Sequence, residues 1–296
     1  MLELRLAFRR LRKSPFFAGG AAAVLALGIG AATLLFAIVD GAILKPWPYE
    51  GFDRIVTVGA TFPRLARENG EWSVPEVLDL VACPAFDAAV AGRARDANLT
   101  GGGRPERVHA VAMTASGWAM LGAHPALGRL FGADEDRPGT APVAVMSDAL
   151  WRRRFDADPS VVGRTLAIDG QAVTVVGVMP PRFVWWGAEL WFPLAMDTGE
   201  TDRGARRISV QGRLRKGTTP AAAAAALDLV GRRWENAWSS NYPEYRGIAF
   251  QPRSLVEDVL RGVPRTLGLL FAAVALVLLV ASANLGNLLL ARASAR

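Results

Sequence analysis

The chain has 296 residues, 51% of them hydrophobic, and a net charge of +7. That charge is concentrated at the ends: residues 1–15 carry +4 and residues 292–296 carry +2, leaving +1 for everything between, so the broad basic face of a nucleic-acid-binding domain is excluded. The single cysteine, Cys83, rules out an intrachain disulfide and every multi-cysteine metal pattern.

Residues 1–15 read as a cytoplasmic basic amphipathic segment. Leu4, Phe8 and Leu11 fall on one helical stripe and Arg5, Arg9 and Arg12 on another, the pattern of a short helix lying among lipid headgroups. A plain basic anchor flank is the simpler reading of the same residues. Ser14-Pro15 separates this segment from a first transmembrane helix over 16–44, because proline suits the first turn of a helix. Phe16–Val39 is 24 residues without a charge, too long for the apolar core of a signal peptide and long enough to span a bilayer. The positive-inside rule keeps its basic flank in the cytoplasm. Small residues recur in this helix four apart, Ala26 with Gly30 and Gly28 with Ala32, and such small faces let another helix approach closely.

Residues 45–262 are expected to form an extracytoplasmic α+β domain inserted between two transmembrane α-helices. Residues 54–59 read as a strand. Residues 75–81 start a helix with Ser73 as its cap. Residues 107–113 and 142–146 read as strands, and Ser147 caps a helix over 148–155. Asp169-Gly170 is a two-residue hairpin turn between strands 165–168 and 172–178. Residues 219–234 form a long alanine-rich helix, capped by Thr219 or Thr218 with Pro220 in its first turn. Asp134-Glu135-Asp136 lacks the alternating ligands of a calcium loop and reads as a solvated turn. Trp185, Trp186 and Trp191 form a conspicuous cluster, read either as a candidate partner-binding patch or as core packing.

A second transmembrane helix follows over 263–291, in which Thr266–Ala291 is 26 residues without a charge. Asn284 and Asn287 are three apart and share a face with Leu288. An amide facing lipid is unfavourable without a partner, so this face calls for further permease helices or a second permease copy, unless both residues sit at the cytoplasmic interface. Arg292 and Arg296 then return the chain to the cytoplasm, in a turn over 292–296.

Catalytic constellations are missing from the sequence. There is no G-x-x-x-x-G-K-[ST] loop for a nucleotide and no Gly-x-Ser-x-Gly elbow. The two histidines, His109 and His124, are far apart and form no metal-binding pair. The chain is expected not to be an enzyme and to carry no catalytic, cofactor or metal site.

Several blocks in register carry a family resemblance: GRLFGADED (128–136), VAVMSDALWRRRF (143–155), DPSVVGRTLAIDG (158–170) and VTVVGVMPPRF (173–183). In that order and spacing they resemble the MacB-like periplasmic core domain of ABC transporter permeases. Residues 4–49 resemble the first helix of the same permeases, and SANLGNLLLARASAR (282–296) resembles the second helix of an FtsX-like permease domain, most like the large duplicated permeases found as orphan subunits. The resemblance implies a multi-pass protein of the bacterial cytoplasmic membrane that binds no ATP itself. A separate ABC ATPase subunit would touch the cytoplasmic turn at Arg292–Arg296 and move the helices, and that motion would pass to the periplasmic domain for export or mechanical work on a periplasmic partner. The family's unit has four crossings and this chain has two, so a fragment of a larger permease is expected. The alternative is a two-helix membrane sensor or adaptor with a periplasmic binding domain.

Overall fold

The computed structural model describes residues 48–260, except 66 and 101–103, together with isolated helical positions at 26, 28–30, 33, 272, 275, 276, 279, 282 and 283. Pro48–Asp258 forms one compact unit, and Met1–Trp47 with Val259–Arg296 forms another. Apart from those isolated positions, segment 1–15, the expected spans 16–44 and 263–291, and the residues Asn284, Asn287, Arg292 and Arg296 lie outside the described residues. Among the described residues no helix is long and apolar enough to cross a membrane. Gly28 is buried, Gly30 is exposed, and the Thr33 hydroxyl donates to the Ile29 carbonyl at 2.8 Å.

The unit Pro48–Asp258 is built on a sheet of 12 strands. They are β1 (Ile55–Phe62), β2 (Arg67–Asn69), β3 (Glu71–Trp72), β4 (Phe86–Leu99), β5 (Glu106–Met113), β6 (Leu127–Gly128), β7 (Val143–Met146), β8 (Thr165–Ile168), β9 (Gln171–Val178), β10 (Leu190–Pro193), β11 (Ile208–Leu214) and β12 (Ala249–Ser254). The helices are α1 (Val74–Val81), α2 (Ser116–Met120), α3 (Asp148–Phe155), α4 (Pro220–Trp238) and α5 (Leu255–Leu260). The strand order is β12-β1-β11-β4-β5-β10-β7-β9-β6.

Two cores share this sheet. The first lies where α1 and α4 cover β12, β1, β11 and the first half of β4. Leu227, Val230 and Trp234 recur at helical spacing on α4 and bury its inner stripe. Thr219 caps that helix, its hydroxyl oxygen accepting from the Ala222 amide at 3.2 Å, with Pro220 in the first turn. Trp72 stacks on Phe250 with ring centroids 5.5 Å apart.

The second core is the inside of a small barrel. Strand β4 pairs β5, β5 pairs β10, β10 pairs β7, β7 pairs β9 and β9 pairs β8. Strand β8 then returns to β4 through the pair Leu99↔Ile168, which closes the ring. The inward positions include Leu99, Ala110, Met146, Ile168, Val175 and Leu190, all buried. Leu150 and Phe155 of α3 pack against this interior. Ser147 caps α3 by accepting from the Leu150 amide at 3.1 Å. Asp169 and Gly170 have φ of 49° and 77°, the left-handed pair that a tight β8–β9 turn requires.

Candidate functional site

The first and last strands of the domain lie side by side. Strand β12 runs antiparallel to β1 with Val56 opposite Ser254 and Thr61 opposite Ala249, so the last residue of the domain's final strand lies next to the start of its first. Paired strands stand about 4.8 Å apart. The two strands therefore form a stem that sets the start of β1 beside the end of β12 within this unit.

The turn before β1 is fastened by ions. Asp87 on β4 accepts from Arg54 at 3.0 Å and from Arg213 at 2.7 Å, and Arg213 also donates to the Met120 carbonyl at 3.0 Å. The Arg54 guanidinium reaches the Leu214 carbonyl as well. Burial alone would raise the Asp87 carboxyl, but the hydrogen bonds from Arg213 and Arg54 hold it below its ordinary value.

Just ahead of that turn, Tyr49 joins an aromatic cluster. Its ring packs edge-on against Phe183 at 5.3 Å and Trp185 at 5.0 Å, and its phenol oxygen accepts from the Val184 amide at 3.0 Å. Burial pushes the Tyr49 phenol up to about 12. Phe183 in turn meets Trp191 at 5.3 Å. Tyr49 is thus buried in aromatic packing just ahead of β1.

A strap, residues 194–207, crosses from β10 in the barrel to β11 in the first lobe, and carboxylates pin both its ends. Near its start, Asp136 accepts from the Ala195 and Ala115 amides, each at 2.8 Å. Burial raises the Asp136 carboxyl above its ordinary value, against the opposing pull of the amides of Ala195, Ala115 and Leu194. Towards the strap's end, Arg203 donates to Asp79 at 2.9 Å. Arg206 forms a forked pair with Glu76, with contacts of 2.9 and 2.7 Å, and reaches Glu244 at 3.1 Å. Glu76 is fully buried and also accepts from the Tyr245 hydroxyl at 2.7 Å and the Ser73 amide at 2.8 Å. Burial and the Glu76 charge push the Tyr245 phenol up.

These placements correct one expectation and decide between the two readings of another. The acidic run 134–136 is more than a solvated turn: Asp136 is the clasp just described, and Glu135 is held by Arg129 through two contacts of 2.7 Å. The tryptophan cluster is interior. Trp185 is 3% exposed and Trp191 is fully buried, its indole N–H donating to the Trp185 carbonyl at 3.3 Å, so neither presents a partner-binding surface. Trp186 is half-buried at φ 54°, and its ring fills the space beside Gly92, where a Cβ would stand 2.1 Å from it. Sequence reasoning missed Tyr49, Glu76, Asp87, Asp136 and Arg206 as functional candidates. The spacing Ser73-x-x-Glu76 was a visible signal for one of them.

The description of the MacB-like periplasmic core domain matches residues 19–230. The chain belongs to that family. The unit Pro48–Asp258 is accordingly the extracytoplasmic domain of a MacB-like ABC-type permease. Among solved structures, it is similar to a domain assigned to a permease protein from Porphyromonas gingivalis, with a TM-score of 0.54 at 16% identity, covering 70% of this chain and 92% of that one. The extracellular domain of the noncanonical ABC-type transporter YknZ from Gram-positive bacteria aligns with a TM-score of 0.49 at 14% identity, covering 67% and 98%. The periplasmic region of MacB from Actinobacillus actinomycetemcomitans aligns with a TM-score of 0.49 at 13% identity, covering 71% and 94%. No curated protein matches the chain. Identities this low speak to fold, and the residue roles in the MacB-like domain rest on its own geometry.

Proposed function

We propose that the chain is a transmembrane permease subunit of an ABC transporter in a bacterial cytoplasmic membrane, and that a separate ATPase subunit drives movement of its extracytoplasmic domain for export or for mechanical work on an extracytoplasmic partner. The observation that supports this reading is the stem: in a domain of the matched family, β1 and β12 lie side by side, and in this reading both flanking segments are joined to it there. A displacement of those segments then turns the domain as a whole. In this reading 16–44 and 263–291 cross the bilayer, Gly28, Gly30, Asn284 and Asn287 face neighbouring helices, and Arg292 and Arg296 face the ATPase. ATP is bound by the ATPase subunit, and this chain contributes packing and leverage.

Topology is the first test. Cys83 is buried and its thiol is pushed up by burial, so the native protein is a poor target for a thiol reagent. In a Cys83→Ala background, Ser240→Cys places a single thiol on an exposed turn of the domain. A membrane-impermeant maleimide is expected to label this variant fully in intact spheroplasts, with no gain on lysis. Labelling that requires lysis would put the domain in the cytoplasm and end the permease reading.

A further inference from the structure

The closed ring of β4, β5, β10, β7, β9 and β8 has α3 packed against its interior and, elsewhere, an open mouth. Side chains alternate along a strand, so Arg93 and Arg95 continue the inward-facing row of β4 that begins with Leu99 and Ala97. Both arginines line a cleft of about 230 Å³. Arg137, from the loop after the acidic run, lines it too. Ala112 and Phe192 are register partners on adjacent strands, and the small alanine side chain leaves room beside Phe192 and Ile168 for an apolar floor.

The cations differ in how far they are already neutralised. Arg95 is paired with Asp169 and stacks over the Phe192 ring at 5.1 Å, so it is held in place. Glu135 also lines the cleft, but both of its oxygens are taken by Arg129. Among the described residues Arg137 pairs only with Asp134, at 3.4 Å, and that aspartate is 96% exposed. Arg93 makes no ion pair among the described residues. The mouth therefore offers two available guanidinium groups above an apolar floor, a combination suited to a small amphipathic anion.

We propose that the barrel mouth binds a small organic carboxylate: the carboxylate is held by Arg93 and Arg137, and the apolar body lies on Ala112, Ile168 and Phe192. The site is independent of the permease reading. A test uses the full chain in nanodiscs and fluorine NMR of 4-fluorobenzoate, with 4-fluorobenzyl alcohol reporting partition into lipid. Saturable broadening of the benzoate signal is expected, competed by unlabelled benzoate and not by inorganic phosphate at equal concentration. In Arg93→Gln/Arg137→Gln, binding should fall about tenfold or more through loss of charge-assisted hydrogen bonds. Both side chains are exposed, so the fold should survive, and an unchanged thermal melt confirms that. Absence of saturation, equal binding by the double variant, or full competition by phosphate would each overturn the proposal, the last by showing a site that reads charge alone.

Discussion

At the scale of single residues, Asp136 best shows how the local sequence misleads. Beside Asp134 and Glu135 it looks like one charge of a solvated run, yet it accepts amides from two separate segments, Ala115 and Ala195. Its partners are distant in sequence, and no local pattern announces them. Because its carboxyl is raised, the folded protein holds that proton more tightly than the unfolded chain. The linkage sign follows: between the ordinary aspartate value near 3.9 and the raised one, this group makes stability fall as pH rises. Asp136→Asn removes that titration, so its stability curve in this window should lose the downward contribution seen in the wild type. An asparagine side chain offers one acceptor oxygen where the carboxylate offers two, so one amide loses its partner. A loss of about 1–2 kcal/mol at neutral pH is expected. Urea unfolding across pH checks both, and a variant with the wild-type pH profile would show that Asp136 is not the group responsible.

At the scale of elements, the starts of α1, α3 and α4 were legible, whereas α2, α5 and much of the sheet were not. Ser147, Thr219 and Pro220 mark helix starts because an exposed amide must be capped locally, and the structure sets α3 and α4 where those residues put them. The hairpin at Asp169-Gly170 was legible for a similar reason, since few residues tolerate its backbone. Strand β4 shows no clean alternation over its 14 residues, because it begins in one lobe and ends in the other. Its FDAAVAGRARDANL therefore reads as neither a buried nor a half-buried strand. The strap's pins were equally hidden, except that Glu76 stands where a capping box puts it. That residue now carries a sharper expectation. Glu76 is shielded from water and is the closer counter-ion of Arg206, so Glu76→Gln leaves that buried guanidinium with Glu244 alone, at 3.1 Å. Losing one partner of such a pair costs about 3–5 kcal/mol. Chemical denaturation of Glu76→Gln should show a drop of that size, and a loss below about 1 kcal/mol, the range of exposed pairs, would mean the pair is not a structural pin.

At the scale of the whole molecule, the question is whether the domain bends between its lobes or turns as one body. Three features oppose bending. Strand β4 runs through both lobes without a break, pairing β11 by its first half and β5 by its second. The strap is held by Asp136 at one end and by Asp79 and Glu76 at the other. Tyr49 sets the incoming chain into aromatic packing that reaches Phe183 and Trp185. A hinge between lobes would have to bend β4 at Gly92, where its two pairings meet, and strain the strap between its two pinned ends, whereas rotation about the stem disturbs neither. If ATP-driven movement reaches the domain as proposed, it should therefore leave the interlobe distance fixed. Spin labels at Arg107→Cys in the barrel and Ser240→Cys beyond α4, in a Cys83→Ala background, sit on exposed side chains and report that distance. With the permease reconstituted beside its ATPase, pulsed EPR should give the same distance distribution without nucleotide and with ATP and vanadate. A second peak or a shifted mean on trapping would show that the lobes move against each other, and the clasp formed by Asp136 and Glu76 would then be a latch that opens during the cycle.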